Sequence, residues 1–152
     1  MIRLMQTADV EAVLQIEQRV QTHPWTRQQF AEAVTQYQST VIEQQGRVVG
    51  FCILQPVLDE ANLLLMAVDP SQQGQGLGYE LLTQSLTWLK NNPIQVFLEV
   101  RQSNIAAIKL YEKADFHQID LRKNYYPQPD GTREHAIIMV KTCTDDFAQL
   151  FK

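Results

Sequence analysis

Met66-Ala67-Val68-Asp69-Pro70-Ser71-Gln72-Gln73-Gly74-Gln75-Gly76-Leu77-Gly78 joins an apolar run to an apolar-periodic segment through a loop holding three of the chain's six glycines. Glycine lets the main chain turn tightly and approach a ligand closely, so the N–H groups opening the next helix can converge on one anion. The junction reads as a phosphate cradle, and a nucleotide-like cofactor is the first ligand class to consider. A bare Gly-x-Gly is equally an ordinary surface turn ahead of a helix. Two better-known phosphate fingerprints do not fit. The P-loop ends in Gly-Lys-Ser/Thr, which is missing here, and the dinucleotide unit places its glycines early with an acidic residue about twenty positions on.

The remainder of the chain alternates strand and helix signals around this loop. Residues 2–5 read as a short strand, and Thr7 opens a helix with Val10, Val13, Leu14 and Val20 near one face. Thr26 and Gln29 stand in capping-box spacing, with Trp25 and Phe30 at the two positions of a hydrophobic staple, so a helix is predicted from Arg27 to about Gln36. Residues 40–44 and 48–54, separated by Gln45-Gly46-Arg47, read as a hairpin rich in β-branched residues, and residues 62–68 as the next strand. Leu77, Leu81, Leu82, Leu86 and Leu89 form a helical stripe that Asn91-Asn92-Pro93 brings to an end. A strand over 94–100, a helix capped by Ser103, and strands near 116–121 and 136–141 complete the chain. The order β-α-α-β-β-β-α-β-α-β-β describes a mixed α/β sheet without repeats or an internal linker.

At 152 residues the chain is long enough to bury a core as one domain without metal or disulfide staples. Cys52 and Cys143 lie in apolar stretches with no metal or redox spacing, which suits buried structural thiols in a reducing compartment. The start of the chain lacks the apolar region of a signal peptide, and no apolar run approaches membrane-spanning length, so a soluble cytoplasmic protein with no membrane partner is expected. The net charge of −4 argues against nucleic acid as a partner and mildly favours a cationic one, although slight acidity also serves solubility alone. His23, His117 and His135 are isolated, with no ligand spacing, and neither a metal nor a catalytic role is expected of them.

Gln73-x-x-Gly76-x-Gly78 following a strand that ends in Val68-Asp69-Pro70 resembles the acetyl-CoA loop of the GCN5-related N-acetyltransferases, written Gln/Arg-x-x-Gly-x-Gly/Ala. Three further stretches narrow the likeness: Val57-Leu58-Asp59-Glu60-Ala61, Leu98-Glu99-Val100-Arg101-Gln102-Ser103-Asn104 running on to Leu110-Tyr111-Glu112, and Arg122-Lys123-Asn124-Tyr125-Tyr126-Pro127. With them the chain resembles the bacterial ribosomal-protein-alanine N-acetyltransferases, the RimI family, from Ile16-Glu17 to Met139. The resemblance implies a single-domain GNAT α/β fold with a central mixed, mostly antiparallel sheet flanked by helices. Residues 1–141 would form that domain and residues 142–152 a tail. It also implies acetyl-CoA as co-substrate and, as protein partner, a small-subunit ribosomal protein whose N-terminal alanine is acetylated. The oligomeric state is not legible.

Acetyl transfer requires the attacking amine to lose a proton and benefits from protonation of the departing thiolate. Glu99, in the apolar strand Val96-Phe97-Leu98-Glu99-Val100, is the candidate base, expected to be enclosed. Without the resemblance it reads as a solvated strand residue or a partner of Arg101. Tyr111 is the candidate acid, since a phenol titrates near 10 against about 8.5 for a thiol, although a helix tyrosine also serves simply as core. Asn104 is expected to bond the cofactor's amide arm, or else to cap its helix. By the resemblance, Met66, Ala67 and Val68 pair with the pantetheine amides and supply an N–H to the thioester carbonyl. Gly74, Gln75, Gly76, Leu77, Gly78 and Tyr79 cradle the pyrophosphate.

Many relatives carry arginine in this loop, where this chain has Gln72, Gln73 and Gln75, so Lys109, Lys113 or Arg101 become candidates for the missing charge. A second departure is Ala114-Asp115-Phe116 in place of Leu-Gly-Phe at a helix exit. Asp59, Glu60, Tyr125, Tyr126 and Glu134 are candidates for a groove that accepts a cationic terminus; solvated acids and rim tyrosines are the plain alternative. Deprotonating a lysine rather than an α-amine at neutral pH costs roughly 3 to 4 kcal/mol more, so a single glutamate suffices more easily for an N-terminus. In the tail, Thr144 stands as a cap with Phe147, Leu150 and Phe151 at helical spacing, which suits a short helix packed on its own domain.

Overall fold

The computed structural model describes residues 1–143, and the expected tail helix lies outside the described residues. The seven strands are β1 (Ile2–Leu4), β2 (Gln38–Gln44), β3 (Arg47–Val57), β4 (Glu60–Val68), β5 (Gln95–Arg101), β6 (His117–Pro127) and β7 (Arg133–Thr142). The helices are α1 (Val10–Val20), α2 (Arg27–Gln36), α3 (Leu77–Thr87) and α4 (Ile105–Lys113), with single 3-10 turns at Thr7–Asp9 and Pro70–Gln72. The strands hydrogen-bond in the order β1-β2-β3-β4-β5-β7-β6. β1, β2 and β3 are antiparallel neighbours, β4 and β5 are parallel, and β7 is antiparallel to both β5 and β6. The mixed sheet is what the element order implies, and its mostly antiparallel pairing is what the resemblance implies.

Two compact units divide the chain: Met1–Gln55 with Leu64–Leu89, and Pro56–Leu63 with the chain from Lys90 on. The first has a core of Met5, of Val13, Leu14 and Ile16 from α1, Phe30 and Ala33 from α2, and Val41, Phe51, Ile53 and Ala67 from the strands. α2 begins where its caps dictate. The Thr26 hydroxyl accepts the Gln29 N–H at 3.2 Å, and the Gln29 side chain accepts the Thr26 N–H at 2.8 Å. The Trp25 and Phe30 rings meet at 5.5 Å, which fixes the entry of the chain.

In the second unit Ala61, Leu63, Val96, Leu98, Val100, Phe116, Ala136 and Met139 are buried. Burial alternates along β5, with Val96, Leu98 and Val100 inside and Phe97, Glu99 and Arg101 on the less covered face. β6 and β7 both run well past the predicted spans. α4 is capped by Asn104, whose side chain accepts the Ala107 N–H at 3.2 Å, and not by Ser103. Cys52 is buried, with its thiol pushed up to about 12 by desolvation, whereas Cys143 is exposed, contrary to the expectation of two buried thiols. Among the described residues no helix is long and apolar enough to cross a membrane.

Candidate active site

The first unit carries the glycine loop. Ala67 and Val68 are buried at the end of β4, with Met66 half-covered. The root of the loop is braced. The Gln73 amide donates to the Val68 carbonyl at 3.0 Å, and the Asp69 carboxylate accepts both the N–H and the hydroxyl of Ser71 at 3.0 Å. Arg19 Nη1 reaches Asp69 Oδ2 at 2.6 Å. The backbone N–H of Ser71 is the largest influence holding the Asp69 carboxyl below the usual carboxylate range, aided by the Ser71 hydroxyl and the charges of Arg19 and Arg47.

Gly74 and Gly76 have φ of 83° and 80°, in the left-handed region where glycine is free of strain. Gly76 is the N-cap of α3 and offers no side chain to that end. The helical ladder starts only with the bond from Glu80 N–H to the Gly76 carbonyl at 3.1 Å, so the first-turn donors lie ahead of it and, with the helix dipole, favour an anion. Besides Arg19, a second basic residue beside this loop is Arg47, from the β2–β3 hairpin. Together with Gln72 and Gln75 it lines a cavity of about 490 Å³. Sequence reasoning missed it because 25 residues separate it from Gln72 and only the hairpin pairing folds it back.

The second unit carries the candidate proton carriers. Glu99 is exposed on β5 and is not enclosed as expected. Its side chain keeps 34% of its surface, and Oε1 meets Arg122 Nη1 of β6 at 3.0 Å. The anticipated rival partner, Arg101, is engaged elsewhere. Its Nη1 contacts Glu134 Oε1 at 3.1 Å, and its guanidinium lies 4.4 Å from the centroid of the Tyr126 ring, a cation–π distance. Lys109 and Lys113 lie on α4.

Tyr125 and Tyr126 pack edge to face at 5.1 Å, and Arg122 stands 5.3 Å from the Tyr125 centroid. Desolvation, with the charge of Glu99 next, pushes the Tyr126 phenol up to about 12, so it stays neutral. Burial would raise the Glu134 carboxyl, but hydrogen bonds from Ser103 and Arg101 outweigh it and hold it below the usual range. Tyr111 is buried in α4 with its ring 6.0 Å from Phe116.

The fold thus gathers Glu99, Tyr125, Tyr126 and Glu134 at one end of β5. It does not bring Asp59 and Glu60 to them. Glu60 pairs with Gln95 at the other end of that strand, and the Asp59 carbonyl accepts the Ile94 N–H. Four residues of strand put them about 13 Å away. Arg122 is the member of the cluster that had no role assigned from sequence. Among the described residues no group of three or more His, Cys, Asp or Glu side chains could hold a metal ion.

The model of the Acetyltransferase (GNAT) family matches residues 10–116. The chain belongs to the GNAT family. This GNAT chain is similar to the ribosomal protein bS18-alanine N-acetyltransferase of Escherichia coli K12, at 44% identity over 140 residues covering 91% of the chain and 94% of the relative. The corresponding enzyme of Haemophilus ducreyi is 41% identical over 141 residues, covering 91% and 97%. Among solved structures, the ribosomal-protein-S18-alanine N-acetyltransferase from Escherichia coli superposes with a TM-score of 0.87 at 42% identity, covering 96% of this GNAT chain and 95% of that one. Ard1 from Thermoplasma volcanium gives 0.84 at 29% identity, covering 95% and 98%.

Proposed function

We propose that this GNAT acetyltransferase moves the acetyl group of acetyl-CoA to the α-amine of an N-terminal alanine, with the small-subunit ribosomal protein bS18 as its target, and that residues 1–141 form the catalytic domain. The observation that carries the reading is the Glu99 cluster: a solvent-reachable carboxylate beside paired tyrosines and Glu134, in a chain 44% identical over 91% of its length to an enzyme of that activity.

Glu99 takes a proton from the substrate ammonium, directly or through one water, which frees the nitrogen lone pair. That nitrogen forms a bond to the thioester carbonyl carbon while an N–H from the Met66, Ala67 and Val68 stretch stabilises the developing oxyanion. The carbon–sulfur bond then breaks, Tyr111 supplies the proton that leaves CoA as a thiol, and the remaining extra proton on the acylated nitrogen passes through water to the Tyr111 phenolate, leaving a neutral amide. The main-chain donors from Gly74 to Tyr79 hold the pyrophosphate, with Arg47 adding the positive charge that the glutamine-rich loop lacks. Asn104, whose Oδ1 accepts the Ala107 N–H as a cap, offers its amide N–H groups to the cofactor arm. Tyr125, Tyr126 and Glu134 receive the cationic terminus.

A coupled thiol-release assay tests this reading, using a peptide copied from the bS18 N-terminus and the same peptide with its α-amine blocked. Thiol release is expected only with the free α-amine, and Tyr111→Phe is expected to slow it while the ring still packs on Phe116. Release that needs only an internal lysine would make the enzyme a lysine acetyltransferase, and no release with any amine would make it a CoA-binding module.

A further inference from the structure

β6 and β7 fall out of step opposite His135. Arg122 pairs with Ala136 and Tyr126 with Glu134, so three residues of β6, Lys123, Asn124 and Tyr125, face the single residue His135. A bulge of this kind leaves main-chain donors without a ladder partner and re-aims the side chains on either side of it. Asn124 sits at φ 54° in the left-handed region, and its N–H is taken by a side chain: His135 Nδ1 accepts it at 3.0 Å. The backbone of His135 is tied as well, its carbonyl accepting the Gln102 N–H at 3.1 Å just beyond β5. One histidine therefore ties the end of β5 to the bulge that carries Arg122, Tyr125 and Tyr126.

We infer that His135 is a positioning residue for substrate recognition: its imidazole pins the bulge so that Arg122 stays on Glu99 and the two tyrosines keep their edge-to-face wall. Accepting at Nδ1 requires the ring to be neutral with its proton on Nε2. The inference rests on the reading of the Glu99 cluster as the substrate side.

Two variants separate the pin from mere bulk. His135→Phe keeps a ring but has no acceptor, whereas His135→Asn places an amide oxygen near the position of Nδ1. For His135→Phe, amide exchange at Asn124 should quicken about tenfold and kcat/KM for the alanine peptide fall about three- to tenfold, the range set by one ordinary hydrogen bond, with KM for acetyl-CoA unchanged. His135→Asn should restore both. Wild-type exchange and peptide kinetics in His135→Phe, or failure of His135→Asn to recover either, would overturn the inference. If the wild-type enzyme acetylates no peptide, the functional reading fails instead, and the exchange measurement still decides whether the histidine is a pin.

Discussion

Arg122 Nη1 stands 3.0 Å from Glu99 Oε1 across β6 and β5, with 52% and 34% of the two side chains open to solvent. An ion pair this exposed contributes little to folding, with a central value of about 0 to 1 kcal/mol. Its consequence is orientation: a carboxylate held by one oxygen presents the other in a restricted direction. Arg122→Gln is therefore expected to change unfolding free energy by less than about 0.5 kcal/mol while lowering kcat several-fold. Chemical denaturation and steady-state kinetics on the same preparation check this, and a large stability loss with unchanged kcat would count against it.

The glycine at the start of α3 is required for its backbone, not for room. A Cβ built on Gly76 meets nothing within 4 Å, yet φ is 80°. Gly76→Val should cost about 1 to 2 kcal/mol through left-handed strain and should abolish the thermal stabilisation by acetyl-CoA, since relieving the strain turns the N–H groups away from the anion. A melting shift with acetyl-CoA equal to that of the wild type in a folded variant would remove this loop from cofactor binding.

Glu17 is fully buried in α1. Its Oε2 accepts the Trp25 N–H at 3.0 Å, while Oε1 is buried with no hydrogen-bond partner among the described residues. Desolvation raises its pKa, and the Trp25 bond only partly offsets this. A raised folded pKa means that the native state binds the proton more tightly than the unfolded chain, whose glutamates titrate near about 4.3. The stability this contributes is complete below that value and is lost as pH rises through the folded pKa. Denaturation of wild type and Glu17→Gln across pH 4 to 8 should show the wild type losing ground to the variant as pH rises. A constant difference would contradict the burial argument.

Asp115 occupies a helix exit at φ 70°, where glycine carries no penalty. Among the described residues its one ion pair is a long one, 3.8 Å from Lys141 Nζ, with 83% of the aspartate side chain exposed. Asp115→Gly should raise stability by about 0.5 to 1 kcal/mol and leave turnover alone. An equal or lower denaturation midpoint would mean that the lysine contact outweighs the strain.

What was legible in the sequence was local. The capping box and staple place α2 at Arg27–Gln36, the boundaries found, because both devices act within one helical turn of the N-terminus. The polar edge strand β6 runs on to Pro127, past the expected end near Leu121. All but Leu121 and Tyr126 of its residues are exposed, and such a strand has little apolar alternation to reveal it. α3 stops at Thr87, before Leu89 and the asparagines. The exposure of Glu99 was present in the period of β5, since Val96, Leu98 and Val100 take the buried face and leave Glu99 the other. Its pairing with Arg122 was not, because strand register and the β6 bulge are set by contacts far apart in the chain. Arg47 and His135 escaped for the same reason: each acquires its neighbours only through a hairpin or ladder.

Acetylation of the N-terminal alanine should depend on Glu99. The most direct measurement is mass spectrometry of bS18 from cells lacking this enzyme and from the same cells supplied with the wild type or with Glu99→Gln. Acetyl on the N-terminal alanine is expected only with the wild type, with lysine acetylation unchanged throughout. Full acetylation of that alanine without the enzyme, or its full recovery with Glu99→Gln, would contradict the account.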